Sequence, residues 1–199
     1  LMEASFTSPG CGTVSLFDTN GVQRFAYSLA NGKVSGEFLE FDSSKKLKKQ
    51  LFYEQDRLHG LQKGFNPQGG LQFSFEYVHG IRTGLQEEWF INGQKETRAL
   101  YVEGVPNGLF EFWYLNGNKR AQEAYKMGQP EGSFFYWHEN GKRGCSETWA
   151  QGKKVGKAFV WNSLGTLIRQ EEWNEGVENG SWKEWNTFGK KKSECFFIQ

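Results

Sequence analysis

The side chains that most often catalyse reactions or bind metals are few in this chain, and they are scattered. The three histidines occupy three different positions of the 24-residue repeat described below; they are His59, His79 and His138. The three cysteines are odd in number and have no C-x-x-C spacing; they are Cys11, Cys145 and Cys195. Cysteines in this arrangement suggest neither a disulfide framework nor a zinc site. The sequence therefore predicts no metal and no cofactor.

Paired carboxylates could supply general acid and base groups, but their spacing here is unsuitable. The doublets Glu87-Glu88 and Glu171-Glu172 would point to opposite faces of a strand, because side chains alternate along it. The two members of a doublet therefore cannot share one substrate. The sequence also lacks the metalloprotease, P-loop and serine-hydrolase signatures. We therefore expect that the chain is not an enzyme.

Three glutamates recur with a spacing that could serve binding instead. They follow one another at intervals of 24 residues, as Glu123, Glu147 and Glu171. Such a column could be an acidic groove for a basic partner, or it could consist of ordinary solvated glutamates. Both interpretations stay open.

Apolar side chains also recur where solvated residues are expected, at Phe110, Phe112, Phe134 and Tyr136. An apolar cluster on a sheet face that should be solvated marks either a covered surface or a partner site. The sequence allows closure of the sheet on itself, and it also allows a patch for a protein partner or for self-association.

The element that must position these residues is a repeat of 24 residues. Each copy opens with a glycine; these are Gly12, Gly36, Gly60, Gly84, Gly108, Gly132, Gly156 and Gly180. An aromatic residue follows five residues later in every copy; these are Phe17, Phe41, Phe65, Trp89, Trp113, Trp137, Trp161 and Trp185. A fixed period of this size is typical of repeat proteins, which present extended surfaces.

Each repeat reads as two strands with a turn after each of them. With the opening glycine counted as position 0, glycine recurs at position 9, often after asparagine, as in Asn116-Gly117. Asn-Gly between apolar runs predicts a two-residue type I′ turn. A glycine-bracketed segment such as Gly104–Gly108 predicts the second turn, and the many glycines disfavour a helix. The sequence thus predicts an all-β fold, an elongated twisted antiparallel meander or β-solenoid of eight 24-residue hairpin repeats, with about 16 strands of ordinary length.

Side-chain alternation predicts what each face of this sheet holds. The aromatic residues at position 5 form a stripe along one face. Aromatic residues also recur at position 17, as in Tyr125 and Trp149, and we expect them to join that stripe together with the glutamates at position 15. Structural stacking explains the stripe, with stacking of sugars or bases as the alternative. Positions 2 and 4, which include Phe110 and Phe112, are expected on the opposite face.

Net charge and hydropathy limit the partners and the environment that we expect for the chain. The net charge of +1 gives no general attraction to nucleic acid, so we expect no nucleic-acid partner. No apolar stretch approaches the roughly 20 residues of a membrane span. We therefore expect a soluble chain without a transmembrane segment, and its compartment stays open, an exported or cell-envelope placement included.

Basic residues cluster near the predicted Asn-Gly turns. They are Lys45, Lys46, Lys48, Lys49, Lys95, Lys119, Arg120, Lys142, Arg143, Lys190, Lys191 and Lys192. Lysine at sheet edges and turns protects against edge-to-edge aggregation. Attraction to anionic lipid headgroups is the rival explanation.

The repeat resembles a known family. The segment Gly108-Leu-Phe-Glu-Phe-Trp-Tyr-Leu-Asn-Gly-Asn-Lys, followed by Tyr125-Lys-Met-Gly-Gln-Pro-Glu-Gly132, is similar to the MORN repeat. It resembles in particular the bacterial variant with the pattern G-x-W-x-x-[WY]-x-x-N-G-K…Y-x-N-G-x-x-x-G. The resemblance extends over a single array at residues 12–199, after a lead-in at residues 1–11. In the second repeat Lys45 and Asp56 replace turn glycines.

The resemblance implies a non-enzymatic scaffold for proteins or lipids, and some bacterial members of the family are antitoxin-like. The residues that carry the repeat pattern would be structural; they are Gly84, Trp89, Gly108, Trp113, Gly132, Trp137, Gly156, Trp161, Gly180 and Trp185.

The leading functional prediction is a repeat scaffold that binds another protein along its extended sheet, with self-association as a further outcome. The predicted partner-binding residues are Phe110, Phe112, Phe134, Tyr136, Glu123, Glu147 and Glu171. The alternative is a module that binds anionic membrane surfaces or glycans through the basic edge or through exposed tryptophans.

Overall fold

A computed structural model describes residues 2–198, and all regular elements within this range are β-strands. Leu1 and Gln199, the outermost residues of the predicted lead-in and array, lie outside the described residues. The all-β antiparallel meander of hairpins is confirmed. The chain forms two compact units. The first comprises the chain up to Gln94 together with Tyr101–Gly104, and the second comprises Lys95–Leu100 together with the chain from Val105 onward.

The first unit is a meander in which neighbouring strands pair antiparallel. Its strands are β1 (Met2–Ser8), β2 (Cys11–Phe17), β3 (Gln23–Ala30), β4 (Lys33–Phe41), β5 (Leu47–Glu54), β6 (Arg57–Leu58), β7 (Gly60–Phe65), β8 (Leu71–Val78) and β9 (Ile81–Trp89). The predicted lead-in is itself mostly a strand, because β1 pairs with β2. The next strand, β10 (Lys95–Val102), contributes residues to both units.

The second unit repeats the same pattern. Its strands are β11 (Val105–Trp113), β12 (Lys119–Lys126), β13 (Gln129–Pro130), β14 (Gly132–Trp137), β15 (Arg143–Ala150), β16 (Lys153–Trp161), β17 (Leu167–Asn174), β18 (Val177–Glu178), β19 (Gly180–Trp185) and β20 (Lys191–Phe197). The described residues therefore form twenty strands. The additions to the sixteen repeat strands are β1 and the two-residue strands β6, β13 and β18.

The turn inside each repeat differs from the predicted type I′ turn. The N–H of Gly117 donates to the carbonyl of Tyr114 at 2.9 Å, as in a type I turn. Gly117 has φ of 85°, whereas Asn116 is not among the residues with positive φ. A type I turn followed by a left-handed glycine is the usual three-residue hairpin loop. The asparagine is useful here because its Oδ1 accepts the N–H of Asn118 at 2.9 Å.

The type I′ geometry occurs at the other turn, which was predicted at Gly104–Gly108. That prediction is wrong, because residues 105–108 belong to β11. The reversal lies at positions 19 and 20, as at Glu103 and Gly104 (φ of 49° and 83°) and at Met127 and Gly128 (φ of 51° and 83°), so that only Gly104 of the predicted segment belongs to it. Positive φ at both central residues fits the right-handed twist of the flanking strands. Lys45 (φ 62°) and Asp56 (φ 64°) adopt the conformation of the glycines that they replace.

One extra residue in each hairpin sets the register of the sheet. Phe112 pairs with Ala121, but the next residue, Trp113, pairs with Lys119, so Arg120 is left over as a β-bulge. A shift of one residue moves all side chains beyond it to the other face. Position 17 therefore lies opposite position 0, as Tyr125 lies opposite Gly108.

The bulge overturns the predicted assignment of side chains to faces. The aromatic residues at position 17 do not join the stripe at position 5, because they lie on the face of positions 2, 4, 13 and 15. On this face of the second unit, here called the Phe110 face, four rings follow one another across the strands. The centroid distances are 4.8 Å for Phe110–Tyr125, 5.6 Å for Tyr125–Phe134 and 5.7 Å for Phe134–Trp149.

The core of both units is the column at position 2. Six of its eight members are buried; they are Val14, Gln62, Gln86, Phe110, Phe134 and Ala158. A buried polar side chain must find hydrogen-bond partners, and Gln62 finds them on the backbone. Its Oε1 accepts the N–H of Phe52 at 2.8 Å, and its Nε2 donates to the carbonyls of Phe52 and Gly60 at 3.0 Å each.

Side-chain size is complementary at two of the pairs formed by positions 4 and 13. Gly64 pairs with Phe73, whereas Phe112 pairs with Ala121. A Cβ added at Gly64 would overlap the ring of Phe73. The large ring thus lies on the second strand in one pair and on the first strand in the other, and at Gly64 the Phe73 ring leaves no room for a second side chain.

We predict that Gly64→Ala destabilises the protein by about 1–3 kcal/mol, because overpacking forces the Phe73 ring to move. Urea unfolding at equilibrium measures the change in the free energy of unfolding.

The double variant Gly64→Phe/Phe73→Ala provides the control, because it reproduces the Phe112–Ala121 pair. It should be more stable than either single variant, which makes the coupling energy large. Additive effects of the two changes would contradict the size-complementarity argument.

Candidate functional site

Each glutamate of the position-15 column is held by the ring that follows it. Positions 15 and 17 are two residues apart on one strand, so their side chains share a face. The hydrogen bonds run from Tyr125 Oη to Glu123 (2.7 Å), from Trp149 Nε1 to Glu147 (2.9 Å) and from Trp173 Nε1 to Glu171 (2.9 Å). A hydrogen bond to an ionised acceptor is stronger than a neutral one, so the rings fix the direction of the carboxylates.

Lys154 links two of these glutamates. Its Nζ lies 2.9 Å from Glu147 Oε2 and 3.2 Å from Glu171 Oε2, and 4.7 Å from the centroid of the Trp173 ring. The side chains of Lys154, Glu147 and Glu171 are 15%, 13% and 7% exposed. Burial alone would lower the pKa of Lys154, but hydrogen bonds and charges from both glutamates outweigh it and raise this pKa. Glu171 is also 2.7 Å from Arg169 Nε.

Glu123 differs from the other two glutamates in its partners. Its carboxylate accepts hydrogen bonds from Tyr125 at 2.7 Å and from Tyr136 at 3.2 Å. No lysine, arginine or histidine among residues 2–198 pairs with it. Burial and the negative charge of Glu123 raise the pKa of Tyr136 well above its usual value, so Tyr136 stays a hydrogen-bond donor. Glu123 is thus oriented by two hydroxyl groups and neutralised by no cation in the part of the chain described.

Cys145 lies on the same face, opposite Tyr136. Burial, together with the charge of Glu147, raises the pKa of its thiol to about 11. A thiol with a raised pKa is a poor nucleophile because the thiolate is the reactive form. Cys145 therefore acts here as a small packing residue.

All seven predicted partner-binding residues lie on the Phe110 face, although the sequence had divided them between two faces. Phe110, Phe134 and Glu171 are only 8%, 4% and 5% exposed, so their burial leaves little surface for a partner. Phe112, Tyr136, Glu123 and Glu147 are half-buried.

The predicted structural residues divide by role. The five glycines all have positive φ, from 61° at Gly84 to 122° at Gly108, a conformation that glycine adopts without steric cost. The tryptophans at position 5 of the second unit lie on the face opposite Phe110, among cations. Lys119 Nζ, for example, is 6.0 Å and 5.9 Å from the ring centroids of Trp113 and Trp137.

Sequence reasoning missed Lys154 and the ring partners at position 17. The two-residue spacing between Glu and Trp or Tyr is present in the sequence. The contacts of Lys154 with Glu147 and Glu171 could not be predicted, because they depend on the register of the strands. It also treated the histidines as scattered, whereas His59 and His79 lie together with Glu54.

A family comparison identifies one segment of the chain. Residues 34–55 match the family described as MORN repeat variant. This match confirms the predicted resemblance for that segment, which begins in β4 and ends after β5. The same hairpin, with the same bulge, recurs along both units, so the MORN-like segment is one copy of a repeat scaffold. A search of curated proteins found no match to the chain.

Among the described residues, the structure contains no helix with the length and apolar character that a membrane crossing requires.

We predict that Lys154→Met destabilises the protein by about 3 kcal/mol, because it leaves Glu147 and Glu171 buried without their shared cation. Thermal and urea unfolding measure the loss. Adding Glu147→Gln to this variant should restore part of the stability, since it removes one orphaned charge.

Lys153→Met is the matched control for this change. Lys153 Nζ is 3.5 Å from Glu175, but both side chains are more than half exposed. Its replacement should change the free energy of unfolding by less than about 0.5 kcal/mol. Equal losses for the two lysines would show that the buried bridge has no special role.

Proposed function

We propose that the chain is a non-enzymatic repeat scaffold that binds another protein through the Phe110 face of its second unit. The partner presents a basic, extended segment. The single observation that supports this most strongly is the Glu123 carboxylate, which two tyrosine hydroxyls orient and no cation of the described chain neutralises.

Charge complementarity supports a basic partner. A lysine or arginine of a partner would complete at Glu123 the arrangement that Lys154 supplies between Glu147 and Glu171. Because hydroxyl donors already fix the carboxylate, little side-chain entropy is lost when the cation arrives. Such complementary charges mainly set partner choice and register.

The rings beside the glutamates supply apolar contact area. Phe112, Tyr136, Trp149 and Trp173 are half-buried on the same face, so part of each ring is accessible. Aromatic side chains dominate the energetics of most protein interfaces. A row of half-buried rings beside the Glu123 carboxylate fits an extended peptide that places one basic residue among apolar ones.

The basic residues near the turns support the lipid-binding alternative less strongly in the structure than they do in the sequence. Lys48 and Lys49 both pair with Glu40, at 2.6 Å and 3.1 Å. Lys46 and Lys142 donate to the carbonyls of Pro67 and Leu164 in the next turn. Glu40 offsets part of the charge of Lys48 and Lys49. Lys46 and Lys142 keep their charge, but each is held against the next turn, which limits its reach toward an anionic membrane.

We expect that peptides selected against the protein from a random 12-residue display library are enriched in lysine and arginine. Glu123→Gln should weaken the binding of these peptides at least about tenfold, because it removes the charge that holds their cation. Fluorescence anisotropy with the labelled peptides measures the dissociation constants.

Glu139→Gln is the matched control, since Glu139 is exposed in a turn of the same unit. This variant should bind the selected peptides as the unmodified chain does. Peptides without basic enrichment, or equal binding by both variants, would overturn the proposal. Salt-sensitive co-sedimentation with anionic vesicles, or a glycan-array signal, in the absence of peptide binding would favour the alternative.

A further inference from the structure

In the first unit, two histidines and one glutamate direct their polar atoms toward a common point. Glu54 Oε2 lies 3.2 Å from His59 Nδ1 and 3.2 Å from His79 Nδ1. The two imidazole rings are 4.9 Å apart between centroids. One ligand atom from each of the three residues lies within 4.8 Å of the others.

Backbone hydrogen bonds hold the three residues in place. Glu54 ends β5, and the N–H of His59 donates to the carbonyl of Phe52 at 2.8 Å. His79 lies in the two-residue turn between β8 and β9 with φ of 48°. The N–H of the following Gly80 donates to the carbonyl of Leu58 at 2.7 Å. This bond ties the turn of one repeat to the strand of the preceding one and so brings together residues that are 20 positions apart.

The separations match those of ligands around one small cation. Zinc binds histidine nitrogen and carboxylate oxygen at about 2.1 Å, so tetrahedral neighbours are about 3.4 Å apart. The two oxygen-to-nitrogen distances of 3.2 Å are close to that value. The third edge is no longer than 4.8 Å, and rotation of the two imidazole rings would shorten it.

We propose that Glu54, His59 and His79 bind a divalent transition-metal ion of the Zn²⁺ type, with an open position that water fills. Two imidazoles and one carboxylate form a donor set that suits Zn²⁺ and its neighbours, and it is too rich in nitrogen for Ca²⁺ or Mg²⁺. Glu54 and His79 are exposed and His59 is half-buried, so the ion can enter from solvent.

Other repeats share the hydrogen bond between these two positions, but they lack the third ligand. In several repeats the side chain before the opening glycine accepts the N–H at position 19 of the next repeat. The pairs are Cys11–Asn31 (3.4 Å, to sulfur), Ser35–Gln55 (3.1 Å), His59–His79 (3.4 Å) and Glu131–Gln151 (2.7 Å). The residue five positions before the accepting side chain is Glu54 at this junction, but it is Phe6, Ala30 and Lys126 at the other three. The described chain therefore assembles three ligands of this kind only at the His59 junction.

The bond from the His79 N–H to His59 Nδ1 is long for a bond between two nitrogens, at 3.4 Å. A metal ion would compete for this nitrogen, or the ring would turn and present its other nitrogen. Either change costs little, because only one long hydrogen bond is exchanged.

Calorimetric titration of the reduced full chain with Zn²⁺ tests the site. We expect one high-affinity equivalent per chain. Glu54→Gln and the double variant His59→Gln/His79→Gln should each bind that equivalent at least about tenfold more weakly, a loss of about 1.4 kcal/mol or more. Circular dichroism should be unchanged in these variants, because the three side chains lie at or near the surface.

His138→Gln is the matched control, because His138 lies in the second unit, where its Nε2 contacts the carbonyl of Trp161 at 2.9 Å. It should bind Zn²⁺ as the unmodified chain does. Unchanged binding by the double histidine variant, or loss of the equivalent on replacement of the three cysteines by serine, would overturn the proposal. The absorption spectrum of the Co²⁺-loaded protein gives a second readout, and a thiolate charge-transfer band would likewise contradict it.

Discussion

The β-bulge after position 4 is the constraint on which the rest of the structure depends. It adds one residue to the second strand of the hairpin, here called the return strand. Phe112 pairs with Ala121 and Trp113 pairs with Lys119, so Arg120 is the extra residue. Side chains on a strand alternate with a period of two, so one extra residue exchanges the faces of the whole return strand. The rings at position 17 and the glutamates at position 15 consequently lie on the same face of the sheet as the buried column at position 2. Without the bulge, the glutamates would lie among the tryptophans of position 5.

This placement changes what the glutamates can do. A carboxylate that lies beside buried rings loses part of its hydration, and this loss must be offset by hydrogen bonds and cations. Glu171 has a ring donor, Lys154 and Arg169, and it is nearly fully buried. Glu123 has two hydroxyl donors but no cation in the described chain, and it remains half-buried. The same column thus contains a glutamate whose charge the chain itself neutralises and another whose charge no cation of the described chain neutralises.

The sequence was sufficient to predict the repeat, the strand class and the turn at the position-9 glycine, because these follow from local rules. A spacing of 24 residues and the backbone freedom of glycine do not depend on which strands meet. The faces could not be predicted, since a bulge leaves no single-residue signature: Arg120 at the extra position resembles any exposed turn residue. The same reason explains why Lys154 was missed. It reaches Glu147 and Glu171 across neighbouring strands, and that distance exists only once the register is known.

A repeated backbone also creates equivalent junctions between successive repeats. At such a junction a single substitution can add a ligand to a binding site. Each junction brings the end of a return strand, the residue before the next opening glycine and the following two-residue turn close together. The turn residue tolerates many side chains at positive φ, from Gln55 to Met127, because its side chain points into solvent. A histidine there costs the fold little, yet it places an imidazole beside whatever the preceding repeat presents. At Glu54 and His59 the preceding repeat presents two more metal-binding groups, so three tolerated surface residues become one site through geometry that every repeat already provides.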